Sequence, residues 1–409
     1  MKFKLVFVPK KGICMRNRFK LAISADSKIL VLILLSALLV NSSLGQEAEP
    51  STEHVFNLEY KPSGFHLNMA VGIEKDVNFE KEPDFEQRSI VRGLLQTGTA
   101  EKNNIGFAWD RAEGKLYLDL NRNRDLTDDP DGVFASDSKG SYQNFPNIHL
   151  EVQIDSVQLD FEIQITIYDF GAGPTYCQVY VYSGFQGEIE LNGKNWLLKV
   201  ADNFDGKITR ADKIALTPVE ANIGLGFVQL SSPVPETIFF DGHNYGLSFD
   251  FQPGETTPSL KVNLAETDSP MGQLELEGKF IKRMVLEAGS SLVLLDSPEA
   301  TIGVPAGNYR LSYIFLDSGD TGLFQADLNR QQSEDISVSK GESTVLKIGG
   351  PLCNSVEVQR IGKVLTLEYE LLGIDGYNYN SLRGRVENPP TFAIYNKGKE
   401  IATGKFEYG

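Results

Sequence analysis

The segment NIHLEVQIDSVQLDFEIQITIYDF, residues 147–170, indicates the fold class of this 409-residue chain. Apolar and polar residues alternate along it, the phase slips at Asp155, and the alternation resumes at Val157. Successive side chains of a strand point to opposite faces, so a period of two marks a strand that is buried on one side. The segment therefore predicts a β-hairpin with one buried and one solvated face.

The same alternation returns in NYRLSYIFLD (308–317) and KVLTLEYELLG (363–373). Turn-forming pairs separate the apolar runs, and such pairs favour tight hairpins. They are Asp-Gly at 131, 205, 241 and 375, Asn-Gly at 192, and NKGK at 396–399. EQRSIVRGLLQ (86–96) is the one segment that also fits a helix, although Gly93 weakens that interpretation. The sequence predicts an all-β fold of two or three antiparallel β-sandwich domains.

The first 45 residues predict a signal peptide. They carry eight Lys and Arg residues against one Asp, then the twelve-residue apolar run ILVLILLSALLV (29–40), then the small residues Ser43 and Gly45. This order is typical of a secretory signal, here cleaved after Gly45, and Met15 is an alternative start. An uncleaved anchor is the other interpretation, but a spanning helix needs about 20 apolar residues. We expect export to the periplasm, cell surface or medium, without stable membrane insertion after cleavage.

Charge and cysteine content narrow the classes of partner. Loss of residues 1–45 moves the formal net charge from −16 to −23. Such a surface repels phosphates, so we expect no nucleic acid partner, whereas divalent cations are natural counter-ions. Cys177 and Cys353 remain in the mature chain, and the sequence leaves open whether they pair or stay as thiols.

The mature chain of 364 residues is too long for one sandwich. Residues 251–272, FQPGETTPSLKVNLAETDSPMG, are rich in Pro, Thr and Ser, which predicts a linker over 252–271. The linker would separate an N-terminal β region at 46–251, of one or two sandwich units, from a C-terminal sandwich at 272–409.

The stretch LYLDLNRNRDLTDDPDG (116–132) places a dense set of Asp and Asn residues directly after an apolar strand. Calcium takes six to eight oxygen ligands, and an EF-hand loop supplies them at near-alternate positions with Gly at the sixth. On this template Arg124 takes the sixth position and Pro130 the twelfth, so the loop departs from the pattern. The candidate ligands are Asp119, Asn121, Asn123, Asp125, Thr127 and Asp129.

A second stretch, GKNWLLKVADNFDGKITRADK (193–213), matches the first when Ile208 and Thr209 are set on Leu126 and Thr127. Here Gly206 takes the sixth position, but Ala201 takes the first, and Asp202 lies one residue away. The candidate ligands of this copy are Asn203, Asp205, Thr209 and Asp212.

Both loops have an alternative interpretation without metal. Asp and Asn cap their own turns through side-chain hydrogen bonds, so either loop could be only a polar connection. Repulsion among the clustered carboxylates favours a bound cation, and the irregular ligand set favours calcium over magnesium.

Three short motifs resemble exported multidomain β-proteins of bacteria. They are the DxNxNxDLT arrangement at 119–127, PAGNYRL at 305–311 and the terminal GKFEYG at 404–409. The first resembles EF-hand and dockerin-type calcium loops, and the second resembles a strand entry of Ig-like sandwiches. The resemblance implies an exported protein with calcium loops and an Ig-like sandwich at 272–409. It implies no catalytic residues.

Other motifs do not predict catalysis. LDSGDTG (316–322) is interpreted as a turn, because an aspartic-protease site needs a second carboxylate at lobe spacing. SVSK (337–340) lies among strand and turn residues, whereas the S-x-x-K chemistry works on a helix. The histidines lack the spacing of a paired site. They stand at positions 54, 66, 149 and 243.

One aromatic cluster, GIDGYNYNSLRGR (373–385), offers Tyr377 and Tyr379 as a sugar-stacking platform with Asn378, Asn380 and Arg383. Tyrosines that simply favour strand structure are the alternative. The expected function is that of an exported, non-catalytic, calcium-stabilised interaction module that binds carbohydrate or another envelope protein. The alternative is a secreted, glycosidase-like hydrolase that uses loop carboxylates.

Overall fold

The computed structural model describes residues 3–7, 14–15, 53–64, 67–70, 73–75, 77–95, 104–138, 140–169, 176–219, 229–230, 234–254, 257–319, 322–328, 333–361, 364–381 and 390–406. The apolar run at 29–40, the cleavage point after Gly45, His66 and Arg383 lie outside these residues, so the predictions that rest on them stay predictions. No helix in the described part of the chain is long and apolar enough to cross a membrane.

The chain is built from β-strands, which confirms the all-β prediction, and a 3-10 turn spans Pro130–Gly132. The strands are β1 (Phe3–Phe7), β2 (Cys14–Met15), β3 (Glu53–Lys61), β4 (Leu67–Ala70), β5 (Ile73–Lys75), β6 (Ile90–Leu95), β7 (Ile105–Asp110), β8 (Lys115–Leu118), β9 (Val133–Ala135), β10 (Tyr142–Ile154), β11 (Val157–Tyr168), β12 (Tyr176–Val181), β13 (Gly184–Leu191), β14 (Lys194–Ala201), β15 (Lys213–Pro218), β16 (Gln229–Leu230), β17 (Thr237–Phe240), β18 (His243–Gln252), β19 (Ser259–Glu266), β20 (Met271–Glu277), β21 (Ile281–Ala288), β22 (Ser291–Asp296), β23 (Thr301–Pro305), β24 (Gly307–Asp317), β25 (Leu323–Asp327), β26 (Asp335–Val338), β27 (Ser343–Lys347), β28 (Cys353–Ile361), β29 (Val364–Leu372), β30 (Asn380–Ser381), β31 (Thr391–Asn396) and β32 (Lys399–Lys405).

The predicted hairpin forms as expected. β10 and β11 are antiparallel, with Ile154 opposite Val157 and a left-handed φ of 49° at Asp155 in the turn. Burial alternates along both strands, because each apolar side chain of the pattern points into the core. The ambiguous segment at 86–96 contains β6, which pairs with β7 and places Gly93 opposite Phe107. The strand interpretation of that segment is therefore correct.

Most strand pairs are antiparallel. β10, β11, β12 and β4 form a four-stranded sheet, and β5 to β9 form a five-stranded one. A fourteen-stranded sheet runs from β16 to β30, and within it β17 pairs with β22 in parallel. β20 and β27 are also parallel. At the N-terminus, β1 pairs with β31, and β2 pairs with β28 in parallel. Both β1 and β2 lie within residues 1–45, the segment predicted to be cleaved.

The predicted linker at 252–271 contains a central strand, so its composition was misleading. β19 pairs with β18 on one side and with β3 on the other. Leu260, Val262 and Leu264 are buried at 3% exposure or less, because LKVNL keeps the alternation of a strand among its polar neighbours. Residues 259–266 are therefore a strand of the sheet and not part of an exposed linker. The division of the chain into domains stays a prediction.

Two large hydrophobic clusters occupy the interior. Leu264 belongs to the first cluster and Leu274 to the second, so the change of core falls at the C-terminal end of the predicted linker. The division is not strict, because Phe239 on β17, before the linker, belongs to the second cluster and Val285 on β21, after it, belongs to the first. Neighbouring residues of these strands therefore contact different clusters, because successive side chains of a strand point to opposite faces of the sheet. Cys177 and Cys353 are not joined by a disulfide.

Three predicted turns have the conformation that their residues suggest. Both central residues have positive φ in Asn192-Gly193 (52° and 73°), Asp241-Gly242 (51° and 87°) and Lys397-Gly398 (50° and 83°). Two-residue hairpin loops prefer this geometry because its twist matches that of the flanking strands. Asp131 differs, since it lies in the 3-10 turn.

We expect Gly193→Ala to lower the free energy of unfolding by about 1 kcal/mol, because an L-residue resists the left-handed conformation. A Cβ at this position meets no atom within 4 Å, so the loss is conformational and not steric. Gly303→Ala is the matched control, since Gly303 has no left-handed φ and a Cβ there lies 3.8 Å from the Met271 side chain. Urea denaturation measures both, and equal midpoints would contradict the turn assignment.

Candidate metal centre

Three carboxylates converge in the loop between β14 and β15. Asp202 and Asp212 are buried at 1% and 0% exposure, and Asp205 is half-buried. One oxygen from each lies within 4.8 Å of the others. Among the described residues this is the one group of three or more Asp, Glu, His or Cys side chains that close together. Carboxylate oxygens at this spacing are ligands that calcium or magnesium can share.

Backbone donors hold two of these side chains in place. Asp212 accepts the N–H of Asn203 at 2.9 Å through Oδ1 and the N–H of Thr209 at 2.6 Å through Oδ2. Asp202 Oδ1 accepts the N–H of Asp205 at 3.0 Å. The second oxygen, Asp202 Oδ2, is buried and has no hydrogen-bond partner in the described part of the chain. It is a buried acceptor without a partner on one of the three clustered aspartates.

The cluster disfavours the ionised form of its own carboxyl groups. Burial raises the pKa of Asp202 well above its usual value, and the charges of Asp212 and Asp205 add to the effect. Burial also raises the pKa of Asp212 to about 7, while the N–H groups of Thr209 and Asn203 oppose the shift. Burying an uncompensated carboxylate costs several kcal/mol, so the site favours either a proton or a cation.

The first loop, between β8 and β9, uses most of its side chains to shape its own backbone. Asp119 is buried and accepts the N–H of Asn123 and of Arg124, both at 3.0 Å. Asp125 accepts the Thr127 N–H at 2.9 Å and Lys81 Nζ at 2.7 Å. The bonds from Lys81 and Thr127 lower the pKa of Asp125 to about 2.

The amide side chains of this loop are also engaged. Asn121 Oδ1 accepts the N–H of Asn123, and Asn123 Oδ1 accepts the N–H of Asp125. Their Nδ2 groups donate to the two oxygens of Asp128, at 3.1 Å from Asn121 and 2.7 Å from Asn123. These contacts fit the turn interpretation, and they do not gather three carboxylates at one point.

Asp129 is the exception in the first loop. Its Oδ1 accepts the N–H of Asn121 at 3.2 Å, while its Oδ2 is buried without a hydrogen-bond partner among the described residues. Burial raises the pKa of Asp129, and Asp119 and Asp128 add to the shift. Asp129 also lines a cavity of about 360 Å³ beside β10, together with His149 and Glu151.

The two loops share backbone conformation. Arg122 and Arg124 have φ of 62° and 67°, and the matching positions Phe204 and Gly206 have 71° and 78°. The hydrogen bonds also correspond, because the N–H of Asn203 reaches Asp212 as that of Asn121 reaches Asp129. This correspondence agrees with the sequence match of the two stretches. The left-handed conformation at Arg124 explains why glycine suits this position in the other loop.

The structure brings together only part of the predicted ligand set. Asp205 and Asp212 face each other, whereas the oxygens of Asn203 and Thr209 accept the N–H groups of Asp205 and Ala211. Asp202 was not among the predicted ligands, because the template places Ala201 at the first position. The sequence did carry a signal for Asp202, because it directly follows Ala201, a residue without a ligand oxygen at the first position of the template.

The predicted sugar platform at Tyr377 and Tyr379 is wrong. Tyr379 is 2% exposed, and its hydroxyl donates to Asp375 Oδ2 at 2.6 Å, so its ring packs in the core and offers no face to a ligand. The two tyrosines also lie between β29 and β30, outside any strand. SVSK overlaps strand β26, as the non-catalytic interpretation requires.

Comparisons with known proteins identify no relative of this chain. No protein-family model, curated protein or solved structure matches it. Its class, an all-β protein, therefore rests on its own strands. The resemblance to exported bacterial β-proteins stays a prediction.

We expect Asp202→Asn to stabilise the metal-free protein at about pH 8 by about 1 kcal/mol or more. A folded-state pKa that is raised contributes stability at low pH, and that stability is lost as pH rises through the folded pKa. The amide keeps the oxygen that accepts the Asp205 N–H and removes the buried charge. In excess calcium the order should reverse, because the variant has lost a ligand.

Thermal melts in chelator and in calcium measure this reversal. Asp268→Asn is the control, since Asp268 is exposed and is not a residue of the loop. A variant less stable than the parent in chelator at high pH would show that the Asp202 charge is already compensated.

Proposed function

We propose that this chain is an exported, non-catalytic interaction module whose β-sandwich fold is stabilised by calcium in the loop between β14 and β15. The observation that carries the proposal is Asp202 Oδ2, a buried carboxylate oxygen without a hydrogen-bond partner among the described residues, on an aspartate that clusters with two further carboxylates. Three negative charges close to one point in a low-dielectric region are relieved by a divalent cation.

Calcium suits this loop better than magnesium does. Asp202, Asp205 and Asp212 supply carboxylate oxygens from a loop in which Asn203 and Thr209 shape the turns. Calcium accepts six to eight oxygens at variable angles and takes water for the remainder, whereas magnesium demands near-ideal octahedral geometry. In the first loop a second cation would centre on Asp129, whose Oδ2 has the same unpartnered character as that of Asp202.

Export and a division into two sandwich regions are parts of the same proposal. The basic and apolar order of residues 1–45 is that of a signal, and extracellular calcium is high enough for modules that bind it weakly. The acidic mature surface gives cations a favourable field. Residues 46–251 and 272–409 would form the sandwich units, the second of them Ig-like.

A hydrolase is the second candidate, and the cavity beside the first loop is the observation in its favour. Asp129, with its raised pKa, and Glu151 both line that cavity, and a glycosidase needs one protonated acid and one carboxylate. Hydrolysis of a glycoside that is lost in Asp129→Asn but unchanged by chelator would favour the enzyme over the calcium module.

About 10 mM calcium should raise the melting temperature by roughly 3 to 10 °C per site. Extracellular sites bind at about 0.1 to 1 mM, which gives about 1.4 to 2.7 kcal/mol by mass action. Magnesium at equal concentration should have a smaller effect. Asp205→Ala should remove the share of the second loop and Asp129→Ala that of the first, while Asp268→Ala should retain both. Identical melts of the parent protein in calcium and in chelator would remove the metal proposal.

Arg124→Gly should raise the free energy of unfolding by about 1 kcal/mol, because glycine adopts the left-handed conformation without strain. Gly206→Ala should lower it by a similar amount at the matching position. Melts in chelator and in calcium separate the two interpretations of the first loop. A gain that grows with calcium indicates a cation site there, whereas an equal gain in both indicates a turn without metal.

A further inference from the structure

The outward side of the sheet formed by β10, β11 and β12 carries a continuous set of tyrosine and amide side chains. Tyr142, Tyr168 and Tyr176 lie opposite one another across the three strands. The next positions along the strands complete the set, which is called the tyrosine face below. Its members are Tyr142, Asn144, Gln164, Thr166, Tyr168, Tyr176, Gln178 and Tyr180, of which Thr166 is buried at 1% exposure.

This side of the sheet points away from the interior. The alternate residues Phe145, Ile165 and Val179 are buried in the first hydrophobic cluster, which fixes the orientation of the strands. The two tyrosines at the edges of the row are exposed, Tyr142 at 47% and Tyr176 at 56%. Large aromatic side chains held in solvent on a sheet are a feature of binding surfaces.

Three of the four rings of this face, those of Tyr142, Tyr168 and Tyr180, have neutral partners. The hydroxyl of Tyr168 donates to Gln178 Oε1 at 3.1 Å, and that of Tyr180 contacts the same oxygen at 3.3 Å. Tyr182, directly after β12, donates to Gln164 Oε1 at 3.1 Å. The rings of Tyr142 and Tyr168 are 5.2 Å apart and tilted by 57°. A surface ordered before binding loses little conformational entropy when a ligand arrives.

The tyrosine face is also uncharged. None of its eight side chains carries a formal charge at neutral pH, although the whole chain has a net charge of −16. The next outward position on β11 is Glu162, where charge begins again. A surface with this composition favours a neutral ligand, since a polyanion meets the repulsive field of the chain and a polycation finds no carboxylate on the face.

We propose that the tyrosine face binds a neutral, extended polysaccharide. Tyrosine rings present flat apolar surfaces to the C–H faces of sugar rings, while the Gln and Asn amides donate to and accept from hydroxyl groups. Neighbouring strands lie about 4.8 Å apart, so the row Tyr142–Tyr168–Tyr176 offers successive rings to successive sugars of a straight chain. The proposal rests on the interaction-module function and names the class of its partner.

Affinity electrophoresis in native gels that contain hydroxyethyl cellulose tests the proposal, with alginate gels as the polyanion comparison. The full protein should be retarded by the neutral polymer and not by alginate. Tyr142→Ala/Tyr176→Ala should weaken binding about tenfold, because two stacking rings are lost. Tyr176→Trp should retain binding. Tyr377→Ala is the matched control, a half-buried tyrosine packed against the second hydrophobic cluster, and should leave the retardation unchanged.

Three outcomes would overturn the proposal. They are equal retardation of the parent and the double variant, retardation by alginate alone, and a dimer of the parent protein that the double variant abolishes without any effect of the polymer. The last outcome would assign the face to a second copy of the chain. The two proposals fail in different measurements. Melting temperatures that do not respond to calcium would contradict the calcium proposal, whereas mobility that does not respond to the neutral polymer, in gels run with calcium and with chelator, would contradict this one.

Discussion

The burial of one face of the β10–β11 hairpin is the constraint on which the rest of the structure depends. Its alternating apolar side chains lie in the first hydrophobic cluster, so its polar side chains must point outward. The turn residue Asp155 donates its N–H to Gly206 O at 3.0 Å, which anchors the second loop. Arg122 donates to Glu151 O at 2.7 Å, which anchors the first. The outward surface at the far end of the same hairpin is the tyrosine face.

The turn and the cation interpretations of the two loops are compatible, because they concern different oxygen atoms. Most Asp and Asn oxygens accept backbone N–H groups, and those bonds hold the left-handed residues at Arg124 and Gly206 in place. Asp202 and Asp129 each retain one buried oxygen without a hydrogen-bond partner in the described chain. A loop can thus be shaped by its own side chains and still direct a carboxylate at a cation, because a carboxylate has more acceptor positions than one turn uses.

The local sequence pattern was enough to predict an element where the burial of one strand face dominated. The hairpin at 147–170 could be predicted because alternation, turn and burial all agree. The strand β19 was missed because Pro, Thr and Ser around LKVNL suggest a connection, and only its pairing with β3, some 200 residues away in sequence, shows otherwise. Tyr379 was misassigned for a similar reason, since its burial depends on the second hydrophobic cluster, which includes Leu316 and Phe324 from β24 and β25.

The sequence alone determined the all-β class, the main hairpin, its turns and the positions of the two acidic loops, because these follow from periodicity and from the backbone preferences of Gly, Asn and Asp. Only the tertiary structure decided which carboxylates meet, that Asp202 belongs with Asp205 and Asp212, and that tyrosines from three strands form one surface. Those facts depend on strand register and on burial, which bring together residues that no local pattern connects.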